Sequence, residues 1–279
     1  MADKLPAALA AGLFGAAAAL LPAGPAVAQT APEVPAPKRV VSMNLCTDQL
    51  AMLLAGPGQL VSVSALSADP LVSLMADQAR GYPLNHAHAE EIYLLKPDLV
   101  LAGSYTARSS TEMLRRLGIR VETLPPANSL SEISAGIAVM GALLGREAEA
   151  RAVNDSFTAD LAAITPPARR LGASYDANGY SVGRETLSGD VMRKAGLELV
   201  PDRLGLHYGG PLALEALVMA APGVVVTGTR YDNPSRAEEI LDHPALARLG
   251  ASRIAIPDRD WICGLPQITR AAAELARLP

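Results

Sequence analysis

Two stretches of the chain repeat one design. Residues 90–103 read EEIYLLKPDLVLAG and residues 215–228 read EALVMAAPGVVVTG, so in register each has Glu first, Pro seven residues later, and Gly last. This pattern predicts a helix that must stop at the Pro, then a buried parallel strand, then a loop opened by the Gly. Two copies of one helix–strand unit predict two similar α/β lobes with a cleft between their strand ends.

Short apolar runs alternating with helical patterns surround these two units. Residues 39–43, 60–64, 99–102 and 121–124 predict strands, and residues 47–54, 90–95 and 111–117 predict helices. Residues 129–165 predict one long helix that joins the lobes, with a kink at Gly145 as the alternative. The fold class is therefore α/β, with an N-terminal lobe over 38–128 and a C-terminal lobe over 166–279.

The composition excludes several classes of protein. With 24 Lys and Arg against 28 Asp and Glu, the net charge of −4 disfavours binding to nucleic acid. Half of the 279 residues are hydrophobic, which excludes a disordered chain. The two cysteines allow at most one bridge, and no Cys/His spacing typical of a zinc finger is present.

The N-terminal stretch predicts export. Residues 7–21 are uncharged and rich in Ala and Leu, and Ala26-Val27-Ala28 forms a small-x-small site, so we expect a signal peptide over 1–28 and a Pro-rich leader over 29–37. An uncleaved anchor is the alternative. It is disfavoured because the run is shorter than the roughly 20 residues of a spanning helix and is followed by Pro22 and Pro25.

Four features together resemble a known family. They are the Asn-x-Cys-Thr-Asp motif at residues 44–48, the Glu-x6-Pro block in both halves, a single backbone helix, and a late Trp261. The chain is similar to helical-backbone metal-receptor binding proteins, the periplasmic components of ABC importers for vitamin B12, ferric siderophores and haem. The resemblance covers residues 38–276. It implies a monomer that clamps a metal chelate between two rigidly held lobes and delivers it to the importer's membrane subunits, without catalysis.

The loops that follow the predicted strands are expected to line the cleft. Tyr and Trp offer flat surfaces for a macrocycle, and Arg can pair with carboxylates of an anionic complex. The candidate ligand-binding residues are Asn44, Cys46, Tyr105, Arg108, Tyr180, Arg184, Arg230, Tyr231 and Trp261. We expect the ligand to bring a chelated cobalt or iron ion and the protein to need no cofactor of its own. Corrinoid, ferric siderophore and haem remain open.

Two smaller sets of residues could contact a metal. Cys46 and Cys263 are predicted to lie close together, one per lobe, either as a disulfide or as a thiolate pair presented to a soft metal. His86 precedes the Glu90 helix with His88 and is a candidate axial ligand of a chelated ion. The alternative is that His86 braces the start of the helix, because two His without a third ligand do not make a metal site.

One motif indicates a different class of protein, a secreted serine hydrolase. Residues 179–183 read GYSVG and match the G-x-S-x-G nucleophile elbow, with Ser181 followed by Asp202 and His207 in triad order. The elbow needs a good strand before the serine and a helix directly after it. The candidate strand over residues 173–178 is short and polar, and the next helical pattern begins only near Gly189. The elbow therefore lacks its structural context, and a binding protein is favoured over a hydrolase.

Glu90 and Glu215 stand at corresponding positions of the two lobes. The helix dipole explains each glutamate separately. In the resembling family the matching pair contacts arginines of the two membrane subunits, and a two-lobed protein on a two-fold transporter needs one anchor per lobe. Glu90 and Glu215 are therefore predicted docking residues, with Glu91 as the substitute if the register is off by one.

Overall fold

The computed structural model of the protein describes residues 35–166, 168–230 and 235–278. The predicted signal peptide, residues 29–34 of the predicted leader, and Tyr231 lie outside the described residues. Within the described ranges, no helix is long and apolar enough to cross a membrane.

The first lobe is built on a five-stranded parallel sheet of order β3-β2-β1-β4-β5. Because β2 lies on one side of β1 and β4 on the other, the chain reverses direction across the sheet at β1, where α/β proteins bind ligands beyond the carboxyl ends of the strands. The strands are β1 Val40–Ser42, β2 Leu60–Ser64, β3 Leu84–Asn85, β4 Leu99–Gly103 and β5 Val121–Leu124. The helices are α1 Leu45–Leu54, α2 Ala76–Ala79, α3 Ala89–Leu94 and α4 Arg108–Arg116.

The second lobe is built on a four-stranded parallel sheet and a small antiparallel ribbon. The sheet consists of β6 Arg170–Ser174, β8 Leu197–Leu199, β10 Val224–Thr227 and β11 Ser252–Ala255, in the order β11-β10-β6-β8. The ribbon pairs β7 Tyr180–Ser181 with β9 Gly210–Pro211. The helices are α7 Leu187–Lys194, α8 Val200–Arg203, α9 Leu214–Ala220, α10 Pro244–Ala247 and α11 Thr269–Ala276. Together the two sheets confirm the predicted α/β class with two lobes.

The predicted single helix over 129–165 is wrong. The segment forms two helices, α5 Leu130–Leu144 and α6 Glu147–Ala163, which pack against each other as a hairpin. Gly145 takes a left-handed conformation (φ 67°, ψ 37°) and the Arg146 N–H donates to the Gly141 carbonyl, so the first helix ends there and the chain turns back. Asn154 on α6 then donates to the Ser134 carbonyl on α5 at 3.0 Å.

Helix α5 links the two lobes. At its start, the Leu130 N–H donates to Asp190 of α7 at 2.9 Å, and at its end the Leu144 carbonyl accepts from Gln59 at 2.8 Å. The largest cluster of buried apolar side chains runs from the first sheet through α5 and α6 to α11. The lobes therefore share one core, and a large hinge motion between them would expose apolar surface.

Candidate ligand-binding cleft

A cavity of about 410 Å³ lies beyond the carboxyl ends of β1, β4 and β5. Its other walls are one face of α5 and the segment that follows β11, so both lobes contribute to it. The lining residues are Asn44, Cys46, Thr47, Leu50, Gly103, Ser104, Tyr105, Leu124, Pro125, Pro126, Ala127, Asn128, Glu132, Ile133, Ala135, Gly136, Val139, Ile262 and Gly264. The repeat predicted a cleft between the strand ends of both lobes, whereas this cavity lies at strand ends of the first lobe and the second lobe contributes Ile262 and Gly264.

The Asn-x-Cys-Thr-Asp motif builds the wall next to β1. The Asn44 side chain caps α1 by accepting from the Cys46 N–H at 3.1 Å and the Thr47 N–H at 3.4 Å. The Asp48 carboxylate accepts from the N–H and hydroxyl of Ser64, which ties α1 to the end of β2. Burial raises the pKa of Asp48, although bonds from serine hydroxyls oppose that shift. Asn44 therefore fixes the start of α1, and Asp48 fixes α1 against the end of β2.

Gly103 lets β4 approach this wall. A Cβ at Gly103 would lie 2.9 Å from Asn44 Nδ2 and 3.1 Å from Thr106 Oγ1, both too close for a non-bonded carbon. The Gly103 N–H also donates to Thr106 Oγ1, which fixes the loop leading to Tyr105. The glycine at the end of the repeated block thus permits a close approach to the side chains of Asn44 and Thr106 at the cavity.

The surface of the cavity is mainly apolar. Tyr105 is 85% exposed there, and Val139 and Ile262 are also exposed. Of the described residues that line the cavity, Glu132 and Tyr105 have ionisable side chains, and the Glu132 carboxylate accepts from the Asn128 N–H at 2.6 Å. The sequence analysis did not anticipate Glu132, Val139 and Ile262, because no local pattern tells which face of a helix meets a cavity. Among the residues that the structure describes, those lining the cavity offer a ligand mainly apolar surface and no cationic side chain.

Cys46 and Cys263 form a disulfide between the two lobes, with their Cα atoms 5.2 Å apart and 217 positions apart in the chain. Because both sulfurs are in the bond, they do not form the thiolate pair that was the other alternative. Cys46 is on α1 and lines the cavity, and Cys263 lies in the segment that closes it. The disulfide thus holds one edge of the cleft together.

Trp261 does not offer the exposed flat surface that was predicted for it. Its side chain is only 7% exposed and belongs to the shared core, because the segment around it folds down onto the start of α5. There, a Cβ at Gly264 would lie 2.7 Å from the Ala127 Cβ. The exposed neighbour Ile262 lines the cavity instead.

The predicted arginines lie outside the cavity. Arg108 is exposed at the start of α4. The Arg184 side chain is exposed beside Glu185, and the Arg184 backbone N–H donates to the Asp202 carboxylate at 3.1 Å. Arg230 forms two bonds with Asp242, at 2.8 and 2.9 Å, which raise the pKa of Arg230 and lower that of the carboxyl. Arg230 is therefore already paired within the second lobe.

The second lobe displays two tyrosines beyond the carboxyl ends of β6 and β8. Tyr180, a predicted ligand-binding residue, lies on β7 and is not among the residues that line the cavity. Tyr208, which the sequence analysis missed, is more exposed and lies in the loop before β9. Gly209, at φ 85°, lets this loop pass the Tyr180 hydroxyl. Tyr208 lies in the loop between α8 and β9. The sequence could not place this loop, because the ribbon that positions it has only two residues per strand and gives no recognisable strand pattern.

Two acidic side chains meet near Gly228, at the end of β10. Asp176 accepts from the Gly228 N–H at 2.7 Å, and a Cβ at Gly228 would lie 3.0 Å from the Asp258 carboxylate. Burial raises the pKa of Asp176 to about 6, opposed by the Gly228 bond and reinforced by the charge of Asp258. The Gly that ends the second repeat therefore lies in tight contact with acidic side chains, as Gly103 lies in tight contact with Asn44.

Ser181 does not have the geometry of a hydrolytic nucleophile. Its side chain is fully buried, and within the described residues its hydroxyl has no hydrogen-bond partner, so no base contacts it. His207 Nδ1 lies 3.6 Å from Asp202, but the chain continues from β7 into a loop rather than into a helix. A nucleophile elbow exposes its serine at a sharp strand-to-helix turn, which is absent at this serine.

The residues before the first repeat brace helix α3. Glu91 accepts from the backbone N–H groups of His86 and His88. Burial alone would raise the pKa of Glu91, but these bonds lower it below its usual value. His86 is exposed, with Nδ1 3.5 Å from Glu91, and the described part of the chain contains no group of three or more metal-ligand side chains. The arrangement agrees with the bracing alternative for His86.

Glu90 and Glu215 are both exposed near the starts of α3 and α9. Neither makes a salt bridge to another residue that the structure describes. Glu91, the predicted substitute, is occupied in bracing the helix. The carboxylates of both residues that match in register therefore face solvent.

Sequence comparison identifies similar proteins. The chain is 29% identical over 217 residues to a cobalamin-binding protein of Halobacterium salinarum, a match covering 75% of this chain and 58% of that protein. It is 25% identical over 205 residues to an uncharacterised ABC transporter substrate-binding lipoprotein of Bacillus subtilis, covering 68% of this chain and 63% of that one. The chain therefore spans about three fifths of the length of these curated relatives.

Structural comparison gives the same fold. A periplasmic haem-binding protein of Vibrio cholerae superimposes with a TM-score of 0.70 at 17% identity, covering 85% of this chain and 97% of that chain. At this identity the likeness concerns the fold alone. The sequence model of the periplasmic binding protein family matches residues 40–253, which is most of the chain. The protein therefore belongs to the periplasmic binding protein family.

Proposed function

We propose that this chain is an exported solute-binding protein that captures a metal chelate and delivers it to an ABC importer. The observation that carries the proposal is the cavity at the carboxyl ends of β1, β4 and β5, which is closed by a segment of the second lobe. Binding proteins of this layout hold a small molecule where two lobes meet. The relatives named as cobalamin-binding and ABC transporter substrate-binding support the same class of ligand and partner.

A corrinoid is the ligand that the cavity favours. Its lining is mainly apolar, and the candidate cations Arg108 and Arg230 lie outside it. A corrin ring with neutral side-chain amides suits such a lining better than a polyanionic ferric catecholate, which would need cationic partners. Haem remains the second candidate, because the exposed Tyr105 at the cavity could stack on or ligate a flat macrocycle.

We propose that the metal arrives already chelated and that the protein needs no cofactor of its own. In the described ranges, no three His, Cys, Asp or Glu side chains are grouped as a bare metal ion would require. Catalysis is no part of the proposal, since the family binds solutes and the Ser181 hydroxyl is buried.

We also propose that the protein is exported into the periplasm and acts there as a monomer. Residues 1–28 have the pattern of a cleavable signal peptide. The Cys46–Cys263 disulfide agrees with an oxidising compartment, because such bonds are rare in the cytosol. Glu90 and Glu215 would then anchor the two lobes to the two membrane subunits of the importer.

The test is direct titration of the mature protein with cobalamin, haemin, and ferric hydroxamate and catecholate complexes by calorimetry. We expect 1:1 binding of cobalamin, and an affinity reduced about tenfold by Tyr105→Ala. Tyr93→Ala is the matched control, since Tyr93 is an exposed tyrosine outside the cavity. A wild-type protein that binds none of these complexes would exclude the chelate hypothesis.

The same preparation tests the alternative hydrolase function. Wild type and Ser181→Ala are compared for hydrolysis of short p-nitrophenyl esters. We expect equal background rates, because a buried hydroxyl cannot reach an ester carbonyl. If the wild type hydrolyses the esters above background and Ser181→Ala does not, the hydrolase alternative is supported.

A further inference from the structure

A second cavity, of about 890 Å³, lies between the end of α6 and the length of α11. This volume is within the range that small-molecule sites occupy. Its lining comes from residues within 160–165 and 266–277, and none of them lines the first cavity. We call this second cavity the α6–α11 groove. It is separate from the cleft to which the chelate is assigned.

Four charged side chains line the α6–α11 groove. They are Asp160, Arg270, Glu274 and Arg277, and all four residues are exposed. None of the four forms a salt bridge with another residue that the structure describes. On α11 the cation, the anion and the second cation follow at spacings of four and three residues, so they share one face of the helix. The groove therefore offers both signs of charge to one ligand.

Gln267 adds a hydrogen-bond acceptor that lacks a donor. It lies in the turn Pro266–Ile268, which packs against α6, and its Oε1 is shielded from solvent and accepts no hydrogen bond from the described part of the chain. A buried acceptor without a donor is costly, so a donor is expected beside it. The end of α6 carries no basic side chain in its last turn, and the negative end of its dipole also favours a cation here. Asp160, Gln267 and the end of α6 thus form a side of the groove that suits an ammonium group.

The neutral part of the lining leaves room for a small molecule and does not suit a membrane. Ala163, Ala273 and Ala276 contribute small side chains, and Ile164 is buried. Within the described ranges, no residue of the groove is among the exposed large apolar side chains. A surface that lies on a lipid bilayer inserts such side chains into it. The occupant that fits is therefore a free molecule rather than the headgroup of a membrane lipid.

We propose that the α6–α11 groove binds a small zwitterion that carries an ammonium group and a phosphate or carboxylate group. The ammonium group contacts Asp160 and Gln267 Oε1, and the anionic group pairs with Arg270. Arg270 and Glu274 are about 6 Å apart along the axis of α11, so charges separated by a few atoms can reach both. Phosphoethanolamine, with three atoms between its nitrogen and its phosphorus, is a suitable probe. The proposal goes beyond the delivery of a chelate and does not depend on it.

The test is calorimetric titration of the mature protein with phosphoethanolamine, with ethanolamine and inorganic phosphate as probes of one charge each. We expect saturable 1:1 binding of phosphoethanolamine and an affinity at least about tenfold lower for either probe of one charge. Arg270→Gln and Asp160→Asn should each lower the affinity about tenfold, because each removes a charged partner. Both side chains are exposed, so both variants should fold. Arg151→Gln is the matched control, since Arg151 is an exposed arginine of α6 outside the groove.

Four results would overturn the proposal. They are no binding of phosphoethanolamine by the wild type, equal affinity for phosphoethanolamine and inorganic phosphate, unchanged affinity in Arg270→Gln and Asp160→Asn, and an equal loss in Arg151→Gln. Binding to vesicles that contain phosphatidylethanolamine, without binding of the free compound, would overturn the assignment to a free molecule. Cobalamin titration of the same variants should match the wild type, because the groove is separate from the cleft. A failure of the chelate hypothesis therefore leaves this test unaffected.

Discussion

Removing the Cys46–Cys263 bond should lower the free energy of unfolding more than any other single local change. The bond closes a loop of 217 positions, so it restricts nearly the whole unfolded chain. In the chain-entropy model a loop of this length corresponds to about 5 kcal/mol at 25 °C. Since domains of this kind are stable by about 5–15 kcal/mol in total, the reduced protein should be marginally stable.

Equilibrium urea unfolding measures this effect. Three forms are compared: oxidised wild type, wild type reduced with dithiothreitol, and the double variant Cys46→Ala, Cys263→Ala. Alanine is chosen because Cys263 is only 2% exposed, and serine would bury an unsatisfied hydroxyl. Reduced wild type keeps both sulfur atoms, so its difference from the oxidised form isolates the cross-link, and its difference from the variant isolates lost packing.

Thiol titration of the denatured protein fixes the starting state. We expect no free thiol before reduction and two after it. The reasoning is refuted if the denatured, unreduced protein has two free thiols, or if oxidised and reduced wild type unfold at the same urea concentration. A larger m-value in the reduced form is also expected, because its unfolded chain exposes more surface.

Three other predictions follow from single side chains. Gly103→Ala should destabilise the protein by about 1–3 kcal/mol and weaken ligand binding, because the new Cβ would lie 2.9 Å from Asn44 Nδ2. Urea unfolding measures the stability and ligand titration measures the affinity. A variant that is unchanged in both would contradict the packing argument. Because the pKa of Asp176 is raised to about 6 when folded, its contribution to stability is complete at pH values below its unfolded pKa and is lost as the pH rises through 6. Asp176→Asn should therefore remove about 2 kcal/mol of the wild type's decline in the free energy of unfolding between pH 4 and pH 7, and parallel pH profiles of the two proteins would refute this. Ser181→Ala should be neutral or stabilising by up to about 1 kcal/mol in thermal unfolding, because the buried Ser181 hydroxyl has no hydrogen-bond partner among the described residues. A clear loss of stability would contradict this and indicate that the hydroxyl is hydrogen-bonded.

The candidate site was only partly predictable. Asn44, Cys46 and Tyr105 line the cavity because they follow strands, and the end of a strand can be read from a local pattern. Trp261 was misplaced because the same pattern cannot tell whether a loop residue faces the cleft or folds back into the core. Glu132, Val139 and Ile262 were missed, since the cavity wall they form depends on how α5 and the last loop pack.

The sequence by itself determined the two α/β lobes and their equivalence. Pro97 and Pro222 follow the ends of their helices, and Gly103 and Gly228 allow close contact with neighbouring side chains, so both punctuating residues of the repeated block have a physical cause. Only the tertiary structure decided that the linking segment is a hairpin rather than one helix. The apolar period is the same in both cases, and the difference arises at Gly145, whose left-handed conformation ends α5. Ala150 of α6 then packs so closely on Gly141 that a Cβ there would lie 2.3 Å from the Ala150 Cβ. The pairing of Cys46 with Cys263 is likewise a tertiary result, because no sequence spacing measures the 5.2 Å between their Cα atoms.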